Sequence, residues 1–258
     1  MGGVMKFLMV VAVIGIVIAV FVHREEAPST AQTTPQAKNQ NSTGATKTLL
    51  PQWPPVTDQA VAISNDLMAR NYYVVLDGSG SMNYSACSGS QSKMAVAKAA
   101  LSVFAKSVPG DANLGLQVFD GKGLRELLPL GAGNREQFVK LVQNVVAGGG
   151  TPLLDSVNQA YNKLLEQGKK QLGYGEYHLV IVTDGEANTG QDPTPTVNKL
   201  LHESPVVLHT IGFCIGNDHS LNQAGRVLYQ AADNPEALSQ GLADVLAEAP
   251  QFTVSKFK

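Results

Sequence analysis

Three short segments of this chain carry hydroxyl and carboxylate side chains among glycines, a combination that could hold a hard metal ion. They read DGSGS, GGGT and TDGE, and they contribute Asp77, Ser79, Ser81, Thr151 and Asp184. Oxygen ligands of this kind suit Mg²⁺, Mn²⁺ or Ca²⁺, whereas zinc usually takes the His and Cys ligands that these segments lack. The alternate spacing of the first three residues can turn their side chains the same way where a strand opens into a loop, and the intervening glycines allow a tight backbone path.

An alternation of strand-like and helix-like segments after residue 60 predicts the scaffold for these residues. Apolar, β-branched and aromatic runs predict strands at 71–76, 114–119, 124–130, 177–182, 206–213 and 226–231. Apolar residues at helical spacing predict helices at 92–108, 135–146, 152–167, 194–202 and 235–248. The short turn at 120–123 indicates a hairpin, so we expect an open α/β sheet that is parallel except for one antiparallel strand.

The position of the polar segments relative to the strands indicates a binding edge. Asp77 directly follows the first predicted strand, and Asp184 follows the strand at 177–182. Ligands of open α/β sheets bind outside the carboxyl ends of the strands, at the point where the strand order reverses. We therefore expect both carboxylates to lie together at that edge, with the Thr151 loop beside them.

The polar segments contain Asp77-x-Ser79-x-Ser81, then Thr151 in a glycine-rich loop, then Asp184 before a glycine. This pattern resembles the metal-ion-dependent adhesion site of von Willebrand factor A domains, which are also the I domains of integrins. The resemblance covers roughly residues 70–248 and takes in all five positions. It implies a Rossmann-like, doubly wound six-stranded sheet of order 3-2-1-4-5-6, with strand 3 antiparallel and helices on both faces.

The resemblance also implies the chemistry of the site. Mg²⁺, or Mn²⁺ or Ca²⁺ in its place, would be held by the hydroxyls of Ser79, Ser81 and Thr151. Asp77 and Asp184 would hold coordinated waters and orient the hydroxyls. The Asp or Glu of a partner protein would complete the coordination, and that contact would be the binding event.

Other functions find less support in the sequence, and we predict that the chain is not an enzyme. An aspartyl phosphotransferase generally has a second carboxylate two residues after its first, where this chain has Ser79. The nucleophile elbow G-x-S-x-G and the nucleotide-binding motif GxxxxGK[ST] are both absent from the sequence. The chain has 19 basic and 21 acidic residues and a net charge of -2, so nucleic acid is not an expected partner. We also expect no small-molecule substrate.

The amino-terminal part of the chain differs from the rest. Residues 7–22 are an unbroken apolar run, so we predict a signal anchor or transmembrane helix at 1–23. A cleaved signal peptide and a buried core helix remain alternatives. Residues 24–59 are polar and read as a flexible linker before a domain at 60–258. We expect a single-pass protein of the inner (cytoplasmic) membrane, with its carboxyl-terminal domain extracytoplasmic, in the periplasm.

Several other residues have two interpretations each. Cys87 and Cys214 both fall near the predicted metal edge and either form a disulfide or are two small buried thiols. Trp53 either docks on the domain or is incidental to the linker. His178 and His209 lie within strands, where a structural role is favoured, and His219 is either a turn residue or a ligand contact.

Three hypotheses for the function follow. The first is a membrane-tethered adhesion or complex-assembly module that binds protein through the metal. The second is an accessory subunit of an AAA+ ATPase or chelatase-type machine, which requires a cytosolic domain. The third is a metal that serves only to stabilise the loops.

Overall fold

The computed structural model describes residues 52–56, 60–223 and 225–247. Its strands are β1 (Arg70–Asp77), β2 (Asn113–Asp120), β3 (Gly123–Gly131), β4 (Glu176–Thr183), β5 (Val207–Phe213) and β6 (Leu228–Ala232). Its α-helices are α1 (Lys93–Ser107), α2 (Arg135–Gln143), α3 (Leu153–Lys170), α4 (Thr194–Glu203) and α5 (Pro235–Ala247). Two short 3₁₀ turns, Gly80–Asn83 and Ala86–Ser88, lie between β1 and α1.

The six strands form one sheet in the order β3-β2-β1-β4-β5-β6, which confirms the predicted topology. β3 runs antiparallel to β2, and every other neighbouring pair is parallel. The strand order reverses between β1 and β4, where Leu76 lies opposite Val182. The loops that follow these two strands therefore leave the sheet side by side.

Both faces of the sheet are covered by helices, as expected for a doubly wound fold. Along β1, Tyr72, Val74 and Leu76 belong to a core packed by α1, α2 and α5. Tyr73 and Val75 belong to the opposite core, packed by α3 and α4. All five side chains are fully buried. Because both faces of a central strand are buried, it reads as a continuous apolar run rather than an alternating one.

The predicted ends of the elements agree with the structure to within a few residues, and helix α2 shows the clearest difference. The sequence predicts a helix as far as 146, but α2 ends at Gln143. The amides of Asn144 and Val145 donate to carbonyls three residues earlier, which tightens the last turn, and the side chain of Val146 is exposed. The chain then enters the glycine-rich loop that contributes to the candidate site.

Trp53 docks on the domain, which decides between its two interpretations. Its indole meets the ring of Tyr177 edge-on, with centroids 4.6 Å apart. It also covers Gly168 of α3, where any side chain would collide with the indole. Tyr177 lies near the start of β4, so this contact is at the opposite end of the sheet from the loops after β1 and β4.

The predicted membrane segment at 1–23 and most of the linker at 24–59 lie outside the described residues. Among the residues that are described, none of the helices has the length and apolar character needed to cross a membrane.

Candidate metal centre

Asp77, the last residue of β1, is fully buried and held from two sides. Its Oδ1 accepts a hydrogen bond from the backbone N–H of Ser79 at 2.7 Å. Its Oδ2 accepts one from the hydroxyl of Thr183 at 2.6 Å. Gly78 is required between them, because a Cβ there would lie 2.8 Å from the carbonyl oxygen of Phe119. The turn after β1 and the end of β4 thus fix the orientation of this carboxylate.

Two serine hydroxyls and a second carboxylate form the middle of the centre. The Oγ atoms of Ser79 and Ser81 are 2.9 Å apart. The Ser81 hydroxyl donates to Oδ1 of Asp184 at 2.8 Å, and the Ser79 hydroxyl lies 3.5 Å from the same oxygen. The structure therefore brings four of the five predicted residues, namely Asp77, Ser79, Ser81 and Asp184, into one hydrogen-bonded cluster.

The loop that carries Thr151 is hydrogen-bonded both to the turn after β1 and to the loop after β4. The N–H of Gly148 donates to the carbonyl of Gly78 at 2.8 Å, and the N–H of Gly80 donates to Gly149 at 3.0 Å. On its other side, the N–H of Thr151 donates to Oδ1 of Asn188 at 3.0 Å, and the N–H of Asn188 donates back to the Thr151 carbonyl. These backbone bonds hold the fifth predicted residue, which is itself buried, beside the other four.

Lys93 is part of the centre although it lies outside the three polar segments of the sequence. It is the first residue of α1, its side chain is buried, and its ammonium group makes an ion pair with Oδ2 of Asp184. This oxygen accepts no hydrogen bond of normal geometry among the described residues, so we regard the contact as an ion pair. A lysine at the start of a helix opposes the helix dipole, and that anomaly was the available sequence signal.

Thr183 and Asn188 also contact the predicted site residues, although the sequence pattern does not indicate them. Thr183 precedes Asp184 in the TDGE segment, and its hydroxyl faces Asp77 rather than the second carboxylate. Asn188 lies in the loop after β4 and bonds the Thr151 loop. Each forms a hydrogen bond to a residue far away in sequence, so the local spacing of residues does not indicate its role.

Burial dominates the electrostatics of the first carboxylate. It raises the pKa of Asp77 to about 6, against the hydrogen bonds from Ser79 and Thr183, which lower it. The neighbouring Asp184 carboxylate contributes a smaller increase in that pKa. A cation nearby would favour the ionised form of such a group.

The donor set fits an oxygen-liganded divalent ion. In the described ranges, no three His, Cys, Asp or Glu side chains form a group able to hold a metal. The two carboxylates of this centre would therefore have to be supplemented by the hydroxyls of Ser79, Ser81 and Thr151 and by water. Mg²⁺ is commonly bound in this way, because it keeps several waters and needs few protein ligands.

A disulfide joins Cys87 to Cys214, with the two Cα atoms 5.6 Å apart. Cys87 lies in the segment after Ser81, and Cys214 directly follows β5. The bridge therefore ties the loop beyond the DGSGS turn to the same edge of the sheet.

The three histidines have structural contacts. His219 accepts a hydrogen bond from the N–H of Leu221 at Nδ1, so Nε2 carries the proton and donates to the carbonyl of Gly185 at 3.0 Å. His219 is buried, and this bond holds the loop after β4 in place, in agreement with its interpretation as a turn residue. His178 and His209 are buried and contact each other at 3.1 Å.

Comparison with known proteins identifies the family. Residues 71–254 match the von Willebrand factor type A domain. An uncharacterized protein of Bacillus subtilis, YwmC, is 27% identical over 156 residues, which are 55% of this chain and 66% of that protein. This match therefore spans slightly less than two thirds of the relative.

Solved structures show the same fold at low sequence identity. A von Willebrand factor type A protein from Catenulispora acidiphila has a TM-score of 0.56 at 19% identity, over 70% of this chain and 42% of that one. The pilus adhesin SpaC from Lactobacillus rhamnosus GG has a TM-score of 0.53 at 14% identity, over 72% of this chain and 31% of that one. The chain belongs to the von Willebrand factor type A domain family.

Proposed function

We propose that this von Willebrand factor type A domain is a membrane-tethered binding module that captures a carboxylate of a partner protein through a divalent metal ion. Ser79, Ser81 and Thr151 would hold Mg²⁺, Mn²⁺ or Ca²⁺, and Asp77 and Asp184 would hold its waters. The bound ion would supply a Lewis-acidic position for the Asp or Glu of the partner. The observation that carries the proposal is the cluster of Ser79, Ser81 and Asp184 oxygens within hydrogen-bonding distance.

The surroundings of the cluster support binding to a large partner. Asp77, Ser79 and Asp184 are buried and Ser81 is half-buried, but Gly149, Gly150 and Glu186 in the adjoining loops are exposed. Tyr84, three residues after Ser81, is 70% exposed. Tyrosine is enriched at protein interfaces. The serine hydroxyls hydrogen-bond to Asp184 and to each other rather than to a histidine of the kind that activates a nucleophilic serine, which favours binding over hydrolysis.

An extracytoplasmic location is favoured over a cytosolic one. Disulfides such as Cys87–Cys214 persist mainly in oxidising compartments. The apolar run at 7–22 would provide the anchor, and a protein with this fold is a pilus adhesin. The alternative of an AAA+ ATPase or chelatase accessory subunit requires a reducing cytosolic environment, in which this bridge is not expected to form.

Calorimetric titration of Mg²⁺ into the full-length protein in detergent tests the metal requirement. We expect saturable binding by the parent protein, and loss of that binding in Asp77→Ala and Ser79→Ala. Ser239→Ala is the matched control, because Ser239 lies on α5 and bonds only its own helix, at the Pro235 carbonyl. Equal binding by all four proteins, or none by a folded parent, would contradict the proposal.

A further inference from the structure

Lys93 is a buried cation at the centre of an otherwise acidic and hydroxyl-lined site. Only 8% of its side chain is exposed, and the side chain of its partner Asp184 is 0% exposed. Lysine is almost never buried to this extent unless it is paired. Burial of both partners also means that this pair is weakly screened by solvent.

The backbone around Lys93 is held by several contacts. Its N–H donates to the carbonyl of Tyr84 at 2.9 Å, which closes the loop between the DGSGS turn and α1. Ser92 caps the helix by accepting from the N–H of Ala95 at 3.2 Å. The Cys87–Cys214 bridge restrains the same loop. These contacts fix the point from which the Lys93 side chain reaches Asp184.

Both oxygens of Asp184 already have a partner. Oδ1 accepts from Ser81 at 2.8 Å, and Oδ2 faces the ammonium group of Lys93. Any cation that draws on this carboxylate, directly or through water, must compete with Lys93 for it.

We propose that Lys93 is a built-in competing cation, whose ammonium group occupies the Asp184 carboxylate and sets how tightly the centre binds a divalent metal. This inference rests on the proposed metal-binding function. The net charge of Asp77, Asp184 and Lys93 is one negative charge when all three are ionised, and it becomes two without the lysine. Removal of Lys93 thus increases the attraction of the centre for a divalent cation and vacates the Asp184 carboxylate at the same time.

The test is a titration of Mn²⁺ and Mg²⁺ into the full-length parent, Lys93→Met and Lys98→Met, followed by calorimetry. We expect Lys93→Met to bind the metal about tenfold more tightly or better, since a charge in close contact is worth at least that at effective protein dielectrics. Lys98→Met is the matched control and should bind as the parent does. Lys98 lies on the same helix, but its ammonium group donates to the carbonyl of Gln143, away from the centre.

Lys93→Gln is a second variant that keeps the test valid if Lys93→Met does not fold. It removes the charge but keeps a donor for Asp184, and we expect it to bind metal more tightly as well. Circular dichroism of each metal-free variant establishes that it is folded before the titration.

The outcomes separate this inference from the proposed function. Parent binding with equal or weaker binding in Lys93→Met and Lys93→Gln overturns the role of Lys93 and leaves the metal function standing. Binding only by the Lys93 variants supports the competing-cation role and overturns metal binding by the natural protein. No binding by any of the folded proteins overturns both.

Discussion

The oxygen atoms of the candidate centre are positioned by bonds between residues that are distant in sequence. Asp77 is oriented by Thr183 on the neighbouring strand, and Asp184 is oriented by the hydroxyl of Ser81. The centre is therefore preorganised, because each carboxylate is fixed by a group from another segment. Preorganised polar groups bind an ion without the cost of ordering them at that moment.

Thr183→Val tests this orientation, because valine keeps the shape of threonine and removes only the hydroxyl that donates to Asp77. We expect a loss of about 1–3 kcal/mol in the free energy of unfolding, as a buried acceptor loses its partner. We also expect weaker Mg²⁺ binding, since the Asp77 carboxylate is no longer held. Urea unfolding and calorimetry measure the two effects.

Thr196→Val is the matched control for this substitution. Its hydroxyl donates to Asn158 at 2.8 Å, between α4 and α3, away from the centre. It should lower stability and leave Mg²⁺ binding unchanged. Equal effects of the two variants on Mg²⁺ binding would contradict a specific role for Thr183.

Motif spacing predicted the four residues that the structure brings into one cluster and Thr151 in the adjoining loop, but not the residues that contact them. Asp77, Ser79 and Ser81 are identified by their alternation after a strand, and Asp184 by its place before a glycine. Lys93 was not found, because its contact with Asp184 depends on the path of the loop between β1 and α1. A sequence pattern contains no information about that path.

At the scale of the elements, the ends of β1 and β4 carry the centre, and the opposite half of the sheet carries a buried histidine pair. His178 of β4 and His209 of β5 share one hydrogen between Nδ1 and Nε2 at 3.1 Å. His178 also stacks on Tyr72 and lies 3.6 Å from Glu176. Two protonated rings would turn two N–H groups toward each other, so protonation of both rings is disfavoured.

We expect the histidine pair to make the domain sensitive to acid. Burial, with a smaller contribution from His178, lowers the pKa of His209 to about 3, and burial also lowers that of His178, against Glu176. The unfolded chain takes up these protons near pH 6.5 and the folded domain does not. Stability is therefore greatest above pH 6.5 with respect to this pair and falls, by at most about 1.4 kcal/mol per pH unit for each ring, toward pH 3.

Urea unfolding at pH 7 and pH 5 of the parent, His209→Gln and His202→Gln measures this effect. His202 is exposed on α4 and serves as the control. The free energy of unfolding should fall less between the two pH values in His209→Gln than in the other two proteins. Asp77 titrates in all three, so it does not contribute to the difference. The same decrease in all three would count against the histidine pair.

The elements themselves were largely predictable, and the differences have local causes. Alternation of apolar runs and amphipathic segments predicted eleven elements of the correct type, because both periods are strong in this chain. The strand order was implied by the resemblance of the motif rather than by periodicity. The early end of α2 was missed, since Val145 and Val146 continue an apolar helical pattern beyond the last helical turn.

At the scale of the whole molecule, the described domain carries different features at the two ends of its sheet. Trp53 attaches the preceding segment at the start of β4, and the candidate centre lies at the carboxyl ends of β1 and β4. Within residues 52–247, the chain thus enters at one end of the sheet and presents the centre at the other. The docking of Trp53 was one of two interpretations of a lone aromatic in a polar segment, and composition alone could not decide between them.

The Cys87–Cys214 bridge should make the stability of the domain depend on redox conditions. The bridge spans a sequence separation of 127 residues, and closing a loop of this length is worth about 2–5 kcal/mol. We expect a reducing agent to lower the urea midpoint of the parent and to leave the Cys87→Ser/Cys214→Ser double variant unchanged. A parent whose midpoint is insensitive to reduction would contradict a stabilising disulfide.

The central claim is that the centre holds a metal with a coordination position open to a partner carboxylate, and water-proton relaxation with Mn²⁺ tests it most directly. Mn²⁺ bound to the full-length protein should strongly enhance the relaxation of water protons, because exchangeable waters remain on the ion. Acetate, as a carboxylate probe, should reduce that enhancement, and Ser79→Ala should abolish it. Mn²⁺ that binds without enhancement, or with an enhancement unaffected by acetate, would indicate a closed structural metal and contradict the account.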